Sequence, residues 1–190
     1  MEPLIGLLHV CSGLLAVAGV AKLLTPSGTQ EALRVAGFPS SPLLVRALGA
    51  TELAIGTATI VVGGWVLPTL VALSYAGFAG FVISRLRAGD TAGCGCFGAS
   101  ASPLTAGHLV FNVAAALAAV LFVADPAPSL STVLADQPWA GVPYLMIIAL
   151  GVTLSVAVLT VLPATRAAAR PPAAAPLSFG PVSRLSLIHI

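Results

Sequence analysis

Charge is what this chain has least of: Lys, Arg, Asp and Glu make up 7% of its 190 residues, against a hydrophobic share of 58% and a mean hydropathy of +1.05. Soluble domains carry about 25% charged residues. A water-facing globular fold is therefore excluded, and an integral membrane protein is indicated. A net charge of +2 without any basic stripe excludes a nucleic-acid surface. The chain also lacks a dinucleotide fingerprint, a phosphate-binding loop and a helix-borne metal motif, so neither a nucleotide cofactor nor a resident metal is expected. The first apolar run has no basic leader, and Lys22 stands at its far end; it is expected to remain as a span.

What is present is a series of apolar runs long enough to cross roughly 30 Å of hydrocarbon. They cover residues 4–24, 43–62, 65–84, 106–124 and 142–162, with the lipid bilayer as their partner. Each is read as a helix, because an open strand edge cannot be satisfied in lipid. The fold class is thus an all-α integral membrane protein, with a four-helix core over about residues 4–124 and a fifth span that is separable from it. The connections are short, so residues 1–162 form one polytopic domain. One or two turns of interfacial helix are expected over 29–36, a tight hairpin at Gly63-Gly64, and a loop over 85–105. Residues 163–184, rich in Ala and Pro, read as a disordered tail. The last six, 185–190, read as a translated sequencing adapter, so His189 and Arg184 are given no function.

Reactive side chains concentrate in Gly93-Cys94-Gly95-Cys96-Phe97-Gly98. A Cys-x-Cys pair can close into a small ring, but disulfide geometry is narrow, so such a ring is strained and easily reduced. That suits an exchanger better than a staple, and makes Cys94 and Cys96 the candidate catalytic pair. Glu52 lies inside the second run, about 9 Å along the helix from Arg46 at about 1.5 Å per residue. A carboxylate at that depth marks a functional site, and a structural ion pair with Lys22 or Arg46 is the competing explanation. An acid there could relay protons during exchange, while the Lys22 and Arg46 charges would favour thiolate. His108 and Asn112 share a face at the start of the fourth run. His108 is read as a thiolate partner or as a plain interfacial residue, and Asn112 as a bond across helices. Cys11 lies about 16 Å along the axis from Lys22 and is read as a small buried apolar residue.

Lys22, Arg34, Arg46, Arg85, Arg87, Arg166 and Arg170 all fall in segments that a five-span chain places on one side. The positive-inside rule makes that side the cytoplasm, so the cysteine loop is expected there. A cytoplasmic position is at odds with a permanent disulfide, since the cytosol keeps thiols reduced.

The stretch Ala21-Lys22-Leu23-Leu24-Thr25-Pro26, the pair Glu52-Leu53, and Arg85 to Gly89 leading into Cys94-Gly95-Cys96-Phe97-Gly98 resemble the methylamine utilisation protein MauE family, within the wider DoxX-like membrane proteins. The resemblance covers about residues 4–124 and implies a four-helix membrane core of the plasma membrane. It also implies a role in thiol redox or maturation with a thioredoxin-like partner, toward the disulfide-rich small subunit of methylamine dehydrogenase. That partner is held to work outside the cytoplasm, opposite to the side the charges favour. Three function classes stay open. The first is a membrane thiol–disulfide oxidoreductase or redox adaptor. The second is a soft-metal site built from two thiolates and His108, and the third a non-catalytic assembly or transport scaffold. No cofactor is expected, and no residue pattern supports a quinone.

Overall fold

The computed structural model describes residues 2–89, 93, 95, 103–137, 139 and 141–169. Cys94, Cys96, Phe97 and Gly98, the tail from residue 170 and the six adapter-like residues lie outside the described residues. Seven helices form among the described residues: α1 (Glu2–Leu24), α2 (Ser27–Val35), α3 (Pro42–Val62), α4 (Val66–Arg87), α5 (Ala106–Ala124), α6 (Leu130–Asp136) and α7 (Gly141–Ala168). There is no strand among them beyond a single backbone bridge between Gly64 and Ala127. Five of the helices are long and apolar enough to span a bilayer. The protein is an all-α, multi-pass membrane protein.

Local chemistry sets the helix ends. Ser41 accepts a hydrogen bond from the Leu44 backbone N–H at 3.2 Å and Pro42 occupies the first helical position of α3, where its missing N–H costs nothing. Gly63 and Gly64 make the turn into α4, and Gly64 exchanges backbone hydrogen bonds of 2.8 and 3.1 Å with Ala127. This bridge stitches the α3–α4 turn to the α5–α6 connection at one end of the bundle. The short helix α6 was not anticipated from sequence, although Ser129, which accepts from Thr132 N–H at 3.2 Å, supplies its cap. At the other end α2 packs against α3 and is bonded to the end of α4 through Arg85. It begins at Ser27, slightly earlier than the expected stretch.

One boundary differs. The Ala/Pro-rich tail was expected from residue 163, but α7 continues through Pro163 to Ala168. A proline inside a helix removes one hydrogen bond without ending the helix when neighbours hold it, and the alanines that follow are strong helix formers.

The bundle turns several polar side chains inward and leaves large apolar ones outside. His9, Ser12, Lys22, Glu52, Thr59, Arg85, His108 and Asn112 are buried, whereas Leu43, Val62, Leu73, Val110 and Leu117 are among the side chains left exposed. Lipid, unlike water, accepts that outer face, and polar residues turn inward to find partners. Between α1, α4 and α5 sits an apolar core of Leu8, Cys11, Leu15, Val71, Tyr75, Ala119 and Phe122. Helix α7 leans against α1, with Gly13 facing Val152 and Gly151 facing Val10, and His9 Nδ1 lies 2.7 Å from the Tyr144 hydroxyl.

The closest helix pair is α1 and α3. A Cβ on Gly19 would stand 2.5 Å from the Gly49 carbonyl oxygen, and one on Gly49 would stand 2.7 Å from the Gly19 oxygen. Small residues let two backbones meet in this way inside a membrane. Gly49→Val is therefore expected to lower stability by about 1–3 kcal/mol through overpacking, while Gly77→Ala, at a site with nothing within 4 Å, should cause no loss. Thermal unfolding in detergent measures both; equal tolerance at the two positions would refute so close a contact.

Candidate functional site

The last turn of α1 and the middle of α3 carry the two opposite charges that the sequence singled out. Lys22 Nζ donates to Glu52 Oε2 at 2.7 Å, with the side chains 4% and 2% exposed. The glycine contact one turn back makes this possible, since it brings the two helix backbones together beside the pair. Lys22 also lies over the Phe78 ring, 5.6 Å from its centroid. Glu52 Oε1 is buried with no hydrogen-bond partner among the described residues. Of the two cations proposed for Glu52, the structure selects Lys22. Arg46 is exposed on another face of α3 and takes no part in the pair.

A second layer closes the end of the bundle above this pair. Arg85 Nη1, from the last turn of α4, donates to the Ala32 carbonyl of α2 at 2.7 Å. The Thr29 hydroxyl, one turn earlier on α2, donates to the carbonyl of Gly95. Gly95 has a φ of +66°, and a Cβ there would come within 2.6 Å of the Gly28 oxygen. Only glycine fits both the left-handed backbone and that space. The residue between the two cysteines is thus a docking point on α2. On the outer face of α2, the Arg34 guanidinium pairs with Glu31 at 2.6 Å and holds its carboxyl below the usual range.

His108 and Asn112 approach from α5. Thr105, the N-cap residue, donates its backbone N–H to His108 Nδ1 at 3.2 Å, with its hydroxyl 3.0 Å from the same nitrogen. An accepting Nδ1 leaves Nε2 as the ring donor, and the ring is hydrogen-bonded to the backbone of Leu159 on α7. The Leu159 carbonyl is the one that Pro163, four residues on, leaves without its intrahelical partner. His108 therefore caps an orphaned carbonyl inside the membrane and is more than an interfacial residue. Asn112, 8% exposed, departs from expectation in the other direction. Among the described residues its amide makes no bond across helices.

Lys22, Thr29, Gly95, His108 and Asn112 all line one cavity of about 210 Å³. Its remaining wall is apolar and aromatic, including Phe78, Phe81, Phe111 and Tyr75, whose hydroxyl donates to the Cys11 carbonyl at 2.7 Å. Cys11 itself is buried, its thiol in the apolar core. Tyr75, Thr29 and Arg85 were not foreseen. Nothing in a run of Ser, Tyr, Ala and Gly marks Tyr75 as a cavity residue. Arg85 differed from Arg87 only in facing inward, which helical phase relative to Val82 could have revealed. Among the described residues no three His, Cys, Asp or Glu side chains are grouped to hold a metal.

Removing one partner of a buried ion pair strands the other charge, typically at about 3–5 kcal/mol, whereas replacing both with apolar groups is close to neutral. Lys22→Met alone is expected to lower stability by about that amount, and Lys22→Met with Glu52→Leu to recover most of it. A double-mutant cycle by detergent unfolding checks this; additive losses would mean that the two charges do not interact.

Comparison with known sequences gives one result. The family model described as methylamine utilisation protein MauE matches residues 3–125, from the start of α1 to just past the end of α5, leaving α6 and α7 outside the match. No curated protein and no solved structure is detectably similar to the chain.

Proposed function

Because this chain belongs to the methylamine utilisation protein MauE family, we propose that it is a membrane thiol–disulfide redox protein that uses Cys94 and Cys96 to help a disulfide-bearing partner mature. The family ties the chain to methylamine utilisation at a membrane. Within that frame the client is the small subunit of methylamine dehydrogenase, reached directly or through a thioredoxin-like carrier. The observation that carries the reading is Gly95. Both cysteines are joined to it by peptide bonds, and it is held by Thr29 at the wall of a buried cavity that also holds Lys22, paired to Glu52.

The chemistry is an exchange. A thiolate of the partner attacks one sulfur of the Cys94–Cys96 disulfide, the small ring opens, and a mixed disulfide forms. The partner's second thiol then displaces the cysteine, leaving the partner oxidised and Cys94 and Cys96 as two thiols. Two electrons pass to the pair, and the two protons lost by the partner end on its sulfurs. Strain in so short a ring favours opening. The Lys22 ammonium stabilises a released thiolate. Glu52, with one oxygen unpaired, serves as the proton carrier for the loop.

Differential alkylation after mild reduction is expected to label Cys94 and Cys96 together and to leave Cys11 untouched. Glu52→Gln should slow exchange with a thioredoxin-like protein about tenfold or more, the low end of a general acid–base contribution, while insertion stays intact. A pair that remains reduced in oxidant would sink the reading; unchanged exchange in Glu52→Gln would return that residue to a structural role.

Charge segregation supports a side for this chemistry in the plasma membrane. Arg46, Arg87 and Arg166 belong to the helix ends gathered around α2, and Asp125 and Asp136 to the opposite end. By the positive-inside rule the α2 end faces the cytoplasm. An impermeant maleimide added to intact cells after reduction should then label Cys94 and Cys96 only after permeabilisation. Labelling from outside would reverse the orientation and match the extracytoplasmic partner of the family.

A further inference from the structure

We infer that the seam between α1 and α3 is a hydrated proton path, running from the outer end of the bundle through His9 and Ser12 to Glu52. It deepens the proposed function, on which it rests for the use of the protons though not for the path.

Three polar atoms carry the inference. His9 Nε2, Ser12 Oγ and Glu52 Oε1 are buried without a hydrogen-bond partner among the described residues, on residues 0%, 0% and 2% exposed. Ser12 is the most telling of them. A hydroxyl in a membrane helix ordinarily bonds the carbonyl one turn back, as Thr59, Ser155 and Thr160 do here. The Ser12 hydroxyl makes no such bond. Buried polar groups are nearly always paired, and a buried water serves several of them at once.

The three atoms also fall in line. A Cβ on Gly56 would collide with the Ser12 carbonyl oxygen, so Ser12 stands level with Gly56, one turn or about 6 Å beyond Glu52 along α3. His9 lies about 4.5 Å further along α1, on the same face. Axial gaps of that size are closed by one or two waters, given hydrogen bonds of about 2.8 Å. At the far end His9 Nδ1 is 2.7 Å from the Tyr144 hydroxyl, and Tyr144 lines a cavity of about 260 Å³ with Asp125, Asp136 and Gln137. The two carboxylates draw protons to that mouth. At the near end the Lys22 ammonium, 2.7 Å from Glu52, repels a further positive charge and ends the path there. Buried His and Glu side chains in such a series are the ordinary parts of an intramembrane proton relay.

Transfer is balanced at each step. The Tyr144 hydroxyl passes its proton to His9 Nδ1 and takes another from the outer cavity. His9 releases the proton held on Nε2 to water, and the Ser12 hydroxyl relays it to the Glu52 carboxylate. Only O–H and N–H bonds are exchanged.

The test uses the full chain in nanodiscs and reads water access as the exchange of a thiol S–H for S–D in heavy water, by infrared spectroscopy. Ser12→Cys, close in volume, is made in a Cys11→Ala/Cys94→Ser/Cys96→Ser background. The Cys94→Ser/Cys96→Ser protein supplies the control, Cys11, whose thiol sits in the apolar core. The thiol of Ser12→Cys should exchange about tenfold or more faster than that of Cys11, and Tyr144→Phe should slow it about tenfold. Ser12→Ala should lower the unfolding temperature, since a bonded hydroxyl is lost, whereas loss of a bare one is neutral or stabilising. It should also slow thiol exchange with a thioredoxin-like protein as Glu52→Gln does. Exchange in Ser12→Cys as slow as at Cys11, or an unchanged or raised unfolding temperature in Ser12→Ala, overturns the path. Rapid exchange indifferent to Tyr144→Phe overturns its outer entry. Rapid exchange that depends on Tyr144, with thiol chemistry unchanged in Ser12→Ala, supports the path and removes its redox use.

Discussion

The rest of the structure depends on the Lys22–Glu52 pair and the glycine contact beside it. Two charges can sit inside a bilayer only if they meet, and they meet here because Gly19 and Gly49 bring the α1 and α3 backbones within touching distance. A larger residue at either glycine would separate the helices and leave an ammonium and a carboxylate apart in a medium that tolerates neither. The pair in turn fixes the relative height of α1 and α3.

The remaining buried polar groups obey the same rule of satisfaction. Arg85 reaches the Ala32 carbonyl and Thr29 reaches Gly95, so α2 is fastened to α4 and to Gly95 by side chains that could not be left bare. The fifth long helix lies beyond the family match, yet it is tied in by the same logic. Pro163 frees the Leu159 carbonyl, and the His108 ring takes it. His9 and Tyr144 make a comparable tie toward the other end of α7. These contacts explain how a helix with most of its surface facing outward keeps a defined position against the four-helix core.

Asn112 stands out against this background. Where Lys22, Arg85 and His108 are engaged, its side chain lines an apolar cavity without a hydrogen-bond partner among the described residues. The cavity also touches the residue between the two cysteines.

Much of this was legible in one dimension. Hydropathy alone determined the five long helices, because each run must satisfy its own backbone in lipid. Composition determined the membrane class, and the intramembrane carboxylate of Glu52 called for a cationic partner. The Cys-Gly-Cys stretch with Lys22 and Glu52-Leu53 carried the family. Tertiary structure alone decided which cation Glu52 takes, since Lys22 and Arg46 both flank the right membrane face and only helix rotation separates them. It also decided that α7 outlasts Pro163, because the carbonyl a proline orphans is tolerable only when a distant side chain, here His108, can reach it. The pairing of Thr29 with Gly95 was likewise settled by helix packing, which no local spacing encodes.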